Sequence, residues 1–156
     1  MKFVIFTLAE KAYGAGINQV IEVIRMRKVT PVPDAAIFVE GVVSVRGKII
    51  TLINLRKKLG MEAKPLGKSD RIIVSRTEDH VIGLVVDSVS GVVNIDKADI
   101  APPDEALSDA SYLMGVVKKE NRIILLADIE KFLTKDAKED LARIKSRVKV
   151  KPKEAK

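Results

Sequence analysis

Few side chains in this chain could carry covalent or metal chemistry. Its 156 residues include no cysteine and a single histidine, His80. Disulfides, thiolate metal sites, a cysteine nucleophile and a histidine cluster are therefore excluded. The serines could form a Ser-His-Asp triad only through His80, and none sits in a nucleophile elbow. Gly14-x-Gly16 continues into Ile17, Asn18 and Gln19 and lacks the third glycine of a dinucleotide-binding turn. Asp79-His80 reads as a polar surface turn. A carboxylate pair such as Asp70 with Asp79 has nothing beside it to support general acid and base work. The expectation is a protein that is not an enzyme, with no cofactor and no metal.

The remaining chemistry is that of recognition. Glu22 interrupts the apolar run Val20-Ile21-x-Val23-Ile24, and an acid there needs solvent or a partner. Arg46, at a predicted hairpin turn, is the candidate partner. The two are either separate surface charges or an ordered pair in a binding groove. Gly41 and Gly47 bracket the strand before that turn, where backbone freedom is their simplest role. Val43 and Val45 share one face of the strand and Val42 takes the other. One face could be left for a partner, although core packing accounts for most of these valines.

Strands are needed to position these groups. Phe3 to Leu8, Tyr13 to Ile17, Arg71 to Ser75, Val81 to Val86 and Val89 to Ile95 read as strands. Gly41 to Leu55 reads as a hairpin turning near Arg46-Gly47, and Tyr112 to Leu126 as a second one across Lys118 to Asn121. Asn54 and Asp128 each precede a short helix, and Asp34 is placed to cap another over Ala35 to Glu40. Near the end, Ala137, Leu141, Ile144 and Val148 form one stripe at helical spacing. A helix is predicted there, stopped by Pro152.

Composition agrees with a β fold. Apolar residues make up 47% of the chain and aromatics only 4% with no Trp, so the core must be built from Val, Ile and Leu. The net charge of +7 is uneven, with nine basic and four acidic residues from Lys135 to Lys156. The body before it is nearly neutral, which argues against a nucleic-acid-binding fold. No apolar stretch approaches membrane-spanning length and no leader pattern opens the chain, so a soluble, intracellular protein is expected.

An internal echo suggests the architecture. Residues 41–59 match 115–133 at eight of nineteen positions, including Gly-Val-Val against Gly-Val-Val and Ile-Ile-x-Leu against Ile-Ile-x-Leu. A weaker echo sets Tyr13 to Met26 against Ile82 to Ile95. Two similar β units of about 70 residues each would be too small to bury enough core alone. Two small barrels packed on each other would solve this, and closure would remove exposed edges.

Three segments taken in order carry a family resemblance. They are Gln19 to Ile24, Pro31-Val32-Pro33, and Gly41-Val42-Val43-Ser44-Val45-Arg46-Gly47-Lys48-Ile49-Ile50. With Val81 to Val89 and Leu113 to Leu133, they resemble the CheW family of chemotaxis coupling proteins over residues 2 to 134. The resemblance implies a mainly β fold of two packed SH3-like five-stranded β barrels with interleaved strands, short helices and a C-terminal helix. It implies a CheW-like domain over 1–134 and a basic helical extension over 135–156. It also implies a non-enzymatic cytoplasmic adaptor, recruited to membrane-associated receptor arrays. Its partners would be the cytoplasmic tip of a chemoreceptor, the regulatory domain of a CheA-type histidine kinase and other CheW-like domains. On that reading Val20, Glu22, Gly41 and Arg46 match positions tied to receptor or kinase coupling, and with Val43, Val45 and Gly47 of the hairpin they are the candidate protein-binding residues. Ser44 and Thr51 depart from the family's usual Asn and Pro and bear on partner choice. A CheW-like adaptor of a non-flagellar kinase pathway is the nearest alternative. A small nucleic-acid-binding barrel is a more distant one, poorly served by the scarce aromatics.

Overall fold

Three tight hairpins organise the chain, each turning on two residues with positive φ. The pairs are Ala9 and Glu10, Arg46 and Gly47, and Glu120 and Asn121. Such turns match the natural twist of paired strands. In the computed structural model, which describes residues 1–103 and 112–132, they join β1 (Lys2–Leu8) to β2 (Lys11–Gly16), β4 (Val39–Val45) to β5 (Lys48–Asn54), and β9 (Leu113–Lys119) to β10 (Arg122–Ala127). The remaining strands are β3 (Val20–Arg25), β6 (Arg71–Arg76), β7 (Val81–Val86) and β8 (Ser88–Asn94). Short helices α1 (Leu55–Lys58) and α2 (Ile129–Phe132) follow β5 and β10. Asn54 caps the first by accepting from the Lys57 amide at 3.2 Å, and Asp128 accepts from the Glu130 amide at 3.0 Å at the start of the second.

The strands form two five-stranded sheets, in the orders β8-β1-β2-β10-β9 and β3-β6-β7-β5-β4. The chain starts in the first sheet, builds the whole of the second, and returns. Each sheet has one parallel pairing, β2 with β10 and β5 with β7. The echoed segments take equal places: β4-β5-α1 in one sheet stands where β9-β10-α2 stands in the other, and β7-β8 echoes β2-β3.

The sheets are not closed into barrels, which corrects the expected fold. Among the described residues, no ladder joins β3 to β4 or β8 to β9. The reason lies at the edges. The outer side of β4 is met by the single bridge Thr30–Val42, and that of β9 by Ala101–Val116. Side chains make the other contacts across each gap. Val43 and Val45 of β4 belong to the same apolar cluster that Ile24 of β3 packs against. β3 and β4 thus share a core without sharing a ladder. Two further expectations change. Residues 35–40 form turns and the start of β4 rather than a helix, because the Phe38 carbonyl is taken by the Asn54 amide at 2.7 Å as the segment joins β5. Asp34 sits there at φ 62 instead of capping. The predicted C-terminal helix lies outside the described residues.

Apolar side chains fill three layers. One cluster, with Phe6, Tyr13, Ile53, Ile73, Leu84 and Phe132, lies between the sheets. A second lies on the other face of the first sheet, around Phe3, Ile5, Ile124 and Leu126, and a third on the other face of the second sheet, around Val43, Leu52 and Ile72. Each sheet is therefore covered on both faces, which explains the near-continuous apolar runs of β1, β6 and β7. Close approach also requires Gly83, where a Cβ would stand 2.6 Å from Leu52 Cδ2 and 2.8 Å from Ile72 Cγ2. Both neighbours are fully buried and have no free space to move into. Gly83→Ala is expected to cost about 2 kcal/mol by overpacking, measured as a lower denaturant midpoint at unchanged slope.

Candidate functional site

The seam between the edge strands β3 and β4 brings the predicted residues together. β3 alternates half-buried Val20, Glu22 and Ile24 with exposed Ile21, Val23 and Arg25. Its register against β6 shifts between Val20 and Glu22, a bulge that re-aims the strand. Val20 packs against the core between the sheets, while Glu22 points across the gap. The β4–β5 hairpin supplies the other wall. Its turn holds Arg46 at φ 52, which brings the side chain back over the seam.

The charges meet as a two-pronged pair. Arg46 Nε donates to Glu22 Oε2 at 2.9 Å and Nη2 donates to Oε1 at 3.1 Å. This is the planar fork that arginine offers a carboxylate. Hydrogen bonding to Arg46 holds the Glu22 carboxyl below its usual range, partial burial opposes this, and the charges of Arg46 and Arg27 add to it. The Arg46 guanidinium is pushed up by the same bonds. Its side chain is 79% exposed and that of Glu22 is 25% exposed, so water screens the pair. An exposed pair of this kind does little for folding. It ties the β3 edge to the β4–β5 turn across the gap.

The other predicted residues divide by role. Val43 and Val45 are buried in the core of the second sheet and present no side chain outward. Gly41 is also interior. It has φ +144, and a Cβ there would lie 2.2 Å from the Thr30 carbonyl oxygen. Gly47 has φ +80 with nothing within 4 Å of a Cβ, so it serves the turn alone. The exposed surface of these strands and their turn includes Arg46, partly exposed Glu22, the apolar side chains of Ile21, Val23 and Ile49, and the polar side chains of Arg25, Ser44 and Lys48.

Two features were not read from the sequence. Arg27 Nη1 donates to the Ser44 carbonyl at 3.1 Å, a second tie between the β3 side and β4. Nothing local to Arg27 signals it, since the contact depends on how the edges approach. Ile21 and Val23 were legible in principle. They alternate with Glu22, and on a two-faced edge strand one of the two sets must face outward.

A separate ion pair joins the sheets. Arg56 of α1 donates to both oxygens of Asp87, at 2.9 and 2.5 Å, and the Ala9 amide of the first hairpin donates to Asp87 Oδ2 at 2.8 Å. Asp87 lies between β7 and β8, where the chain leaves the second sheet for the first. Burial pushes its carboxyl up, but the Arg56 and Ala9 hydrogen bonds outweigh that and hold it below the usual range.

No cluster of metal-ligating side chains occurs among the described residues. Tyr13, Phe3, Phe6 and Phe132 are buried, and Phe38 and Tyr112 are partly so. Residues 2–137 match the family model described as a CheW-like domain. The chain belongs to the CheW family.

Relatives agree along most of their length. The chain is similar to the chemotaxis protein CheW of Thermotoga maritima, 35% identical over 128 residues, covering 82% of this chain and 84% of that protein. It is 31% identical to the chemotaxis protein CheW of Helicobacter pylori, covering 87% of this chain and 83% of that one. Among solved structures, the scaffolding protein TtCheW of Thermoanaerobacter tengcongensis superposes with a TM-score of 0.80 at 33% identity, covering 87% of this chain and 94% of that one. As a CheW-family protein, the chain is a non-enzymatic adaptor that links chemoreceptors to a CheA-type histidine kinase in signal transduction. No helix of the described residues is long and apolar enough to cross a membrane.

Proposed function

We propose that the β3–β4 seam is where this adaptor receives the chemoreceptor tip. Glu22 and Arg46 form its ordered polar centre, and Ile21, Val23 and Ile49 form its apolar margin. The observation that carries this reading is the two-pronged Glu22–Arg46 pair, held across two strand edges that are otherwise unladdered. Apolar side chains at 39–48% exposure flank it, the mixture of anchor and rim that protein interfaces use. Gly41, Val43, Val45 and Gly47 act from behind, by shaping β4 and its turn, and Val20 seats β3 against the core. The adaptor works by geometry. It holds the receptor and the kinase regulatory domain at fixed positions, so that a receptor movement reaches the kinase. Docking to these partners and to other CheW-like domains recruits it to membrane-associated receptor arrays.

Charge reversal tests the site. Glu22→Arg and Arg46→Glu should each weaken binding of a receptor cytoplasmic fragment by about tenfold or more, because each leaves a like-charge pair at the centre. The double reversal restores the pair and should recover part of the loss. All three variants should melt near the wild-type temperature, since the pair is solvent-screened. Wild-type receptor affinity in both single variants would end this assignment.

A further inference from the structure

The two sheets treat their open seams differently, and the difference exposes a second surface. In the second sheet, Glu22 of β3 and Arg46 of the β4–β5 turn span the gap. The echo places Gly91 where Glu22 stands and Glu120 where Arg46 stands, so the first sheet lacks that pair. Gly91 has φ +136, and among the described residues no atom beyond its chain neighbours lies within 4 Å of where its Cβ would be. An open groove of about 370 Å³ occupies the space between β8 and the β9–β10 turn.

Its floor is apolar and its far wall is basic. Ile5 and Ile124, which belong to the core of the first sheet, form the floor, and Val92 of β8 stands 54% exposed beside it. Lys119 and Arg122 flank the opening. Lys119 Nζ donates to the Asn94 carbonyl at 2.8 Å, so β8 offers backbone acceptors toward the groove and a side chain satisfies one of them. Arg122 is exposed, and its side chain makes no hydrogen bond or ion pair among the described residues. Within the groove lining its charge is opposed only by Glu120, at the turn. β8 is an edge strand, and among the described residues no strand pairs with it on the groove side.

We propose that this groove docks an extended, acidic segment of a protein partner. The segment runs beside β8, lays an apolar side chain over Ile5 and Ile124, and places a carboxylate on Arg122. Strand addition supplies main-chain hydrogen bonds and the alternate side chains supply choice. The guanidinium favours a carboxylate by a charge-assisted fork. This site lies on the other sheet from the Glu22–Arg46 seam and stands or falls independently of it.

Titration of the isotope-labelled full chain by NMR tests the proposal. The probes are two capped pentapeptides, Val-Glu-Val-Glu-Val and Val-Lys-Val-Lys-Val. The acidic peptide should shift the amides of Ser90 to Asn94 and the methyls of Ile5 and Ile124, with a Kd of about 1 mM or tighter. The basic peptide should leave them in place. Arg122→Glu should weaken the acidic peptide by about tenfold, with the spectrum elsewhere unchanged. The proposal is overturned by no shift at millimolar acidic peptide, by equal shifts from both peptides, or by shifts that Arg122→Glu leaves intact.

Discussion

Gly41→Ala should destabilise the protein by about 3 kcal/mol or more, combining overpacking with backbone strain. The added Cβ would lie 2.2 Å from the carbonyl oxygen of Thr30 and 2.8 Å from its carbon. Those are backbone atoms, so no rotamer change relieves the clash. Thr30 is held there by two hydrogen bonds with Val42, at 2.9 and 2.8 Å, which form the one backbone bridge on the outer side of β4. The methyl must break that bridge or displace the strand. A φ of +144 adds strain at any residue with a side chain. The same device recurs at Gly115, where a Cβ would meet Ile100 Cγ2 at 2.4 Å and the Ala101 oxygen at 2.9 Å. Gly47→Ala is the control, since it has positive φ but open space, and should cost only about 1 kcal/mol. Chemical denaturation compares them. Equal losses in the two variants would show that Thr30 does not press on β4. It follows that a functional defect from changing Gly41 would act through the shape of the seam.

Removing the Asp87 carboxylate should cost about 3 kcal/mol at neutral pH, because it strands a mostly buried guanidinium. Side chains of Arg56 and Asp87 are 17% and 21% exposed, far less than the Glu22–Arg46 pair. Asp87→Asn leaves Arg56 without its two-pronged acceptor and weakens the tie to the Ala9 amide. The pH dependence has a definite sign. The folded carboxyl sits below its ordinary value, so the unfolded chain takes up the proton first. The contribution is complete above about pH 4, the ordinary aspartate range, and disappears as pH falls through the lower folded value. Unfolding midpoints measured from pH 7 to pH 2 should fall steeply in the wild type, and less so in Asp87→Asn. Parallel curves would show that this pair does not link the sheets energetically.

Much of the fold follows from local chemistry. The hairpin turns were legible because Arg46-Gly47 and Glu120-Asn121 interrupt alternating apolar runs. The caps at Asn54 and Asp128 were legible because a short polar residue precedes each helix. Sheet closure was not. Whether β3 reaches β4 depends on tertiary fit, and the apparent need for closure was met by shared side-chain packing and single bridges. The proposed helix after Asp34 failed for a related reason. Its turn residues suit a cap, but the amide of Asn54 bonds to the Phe38 carbonyl and draws the segment toward β5.

At the site, Glu22 with Arg46 was readable because a lone acid in an apolar run demands a partner. Val43 and Val45 show the limit of that reasoning. Alternation places them on one face, but only packing reveals that this face looks inward. Asp87 had no local signal at all. Its partners are 31 and 78 residues away in the chain.

The central claim is an adaptor that holds two partners at once, with the receptor seated at Arg46. Sedimentation of the chain with the regulatory domain of its CheA-type kinase and a receptor cytoplasmic fragment tests it directly. A complex containing all three is the expected result. With Arg46→Ala, the receptor fragment should sediment free while the kinase domain stays bound. A folded Arg46→Ala protein that retains both partners, or that loses both, would contradict it.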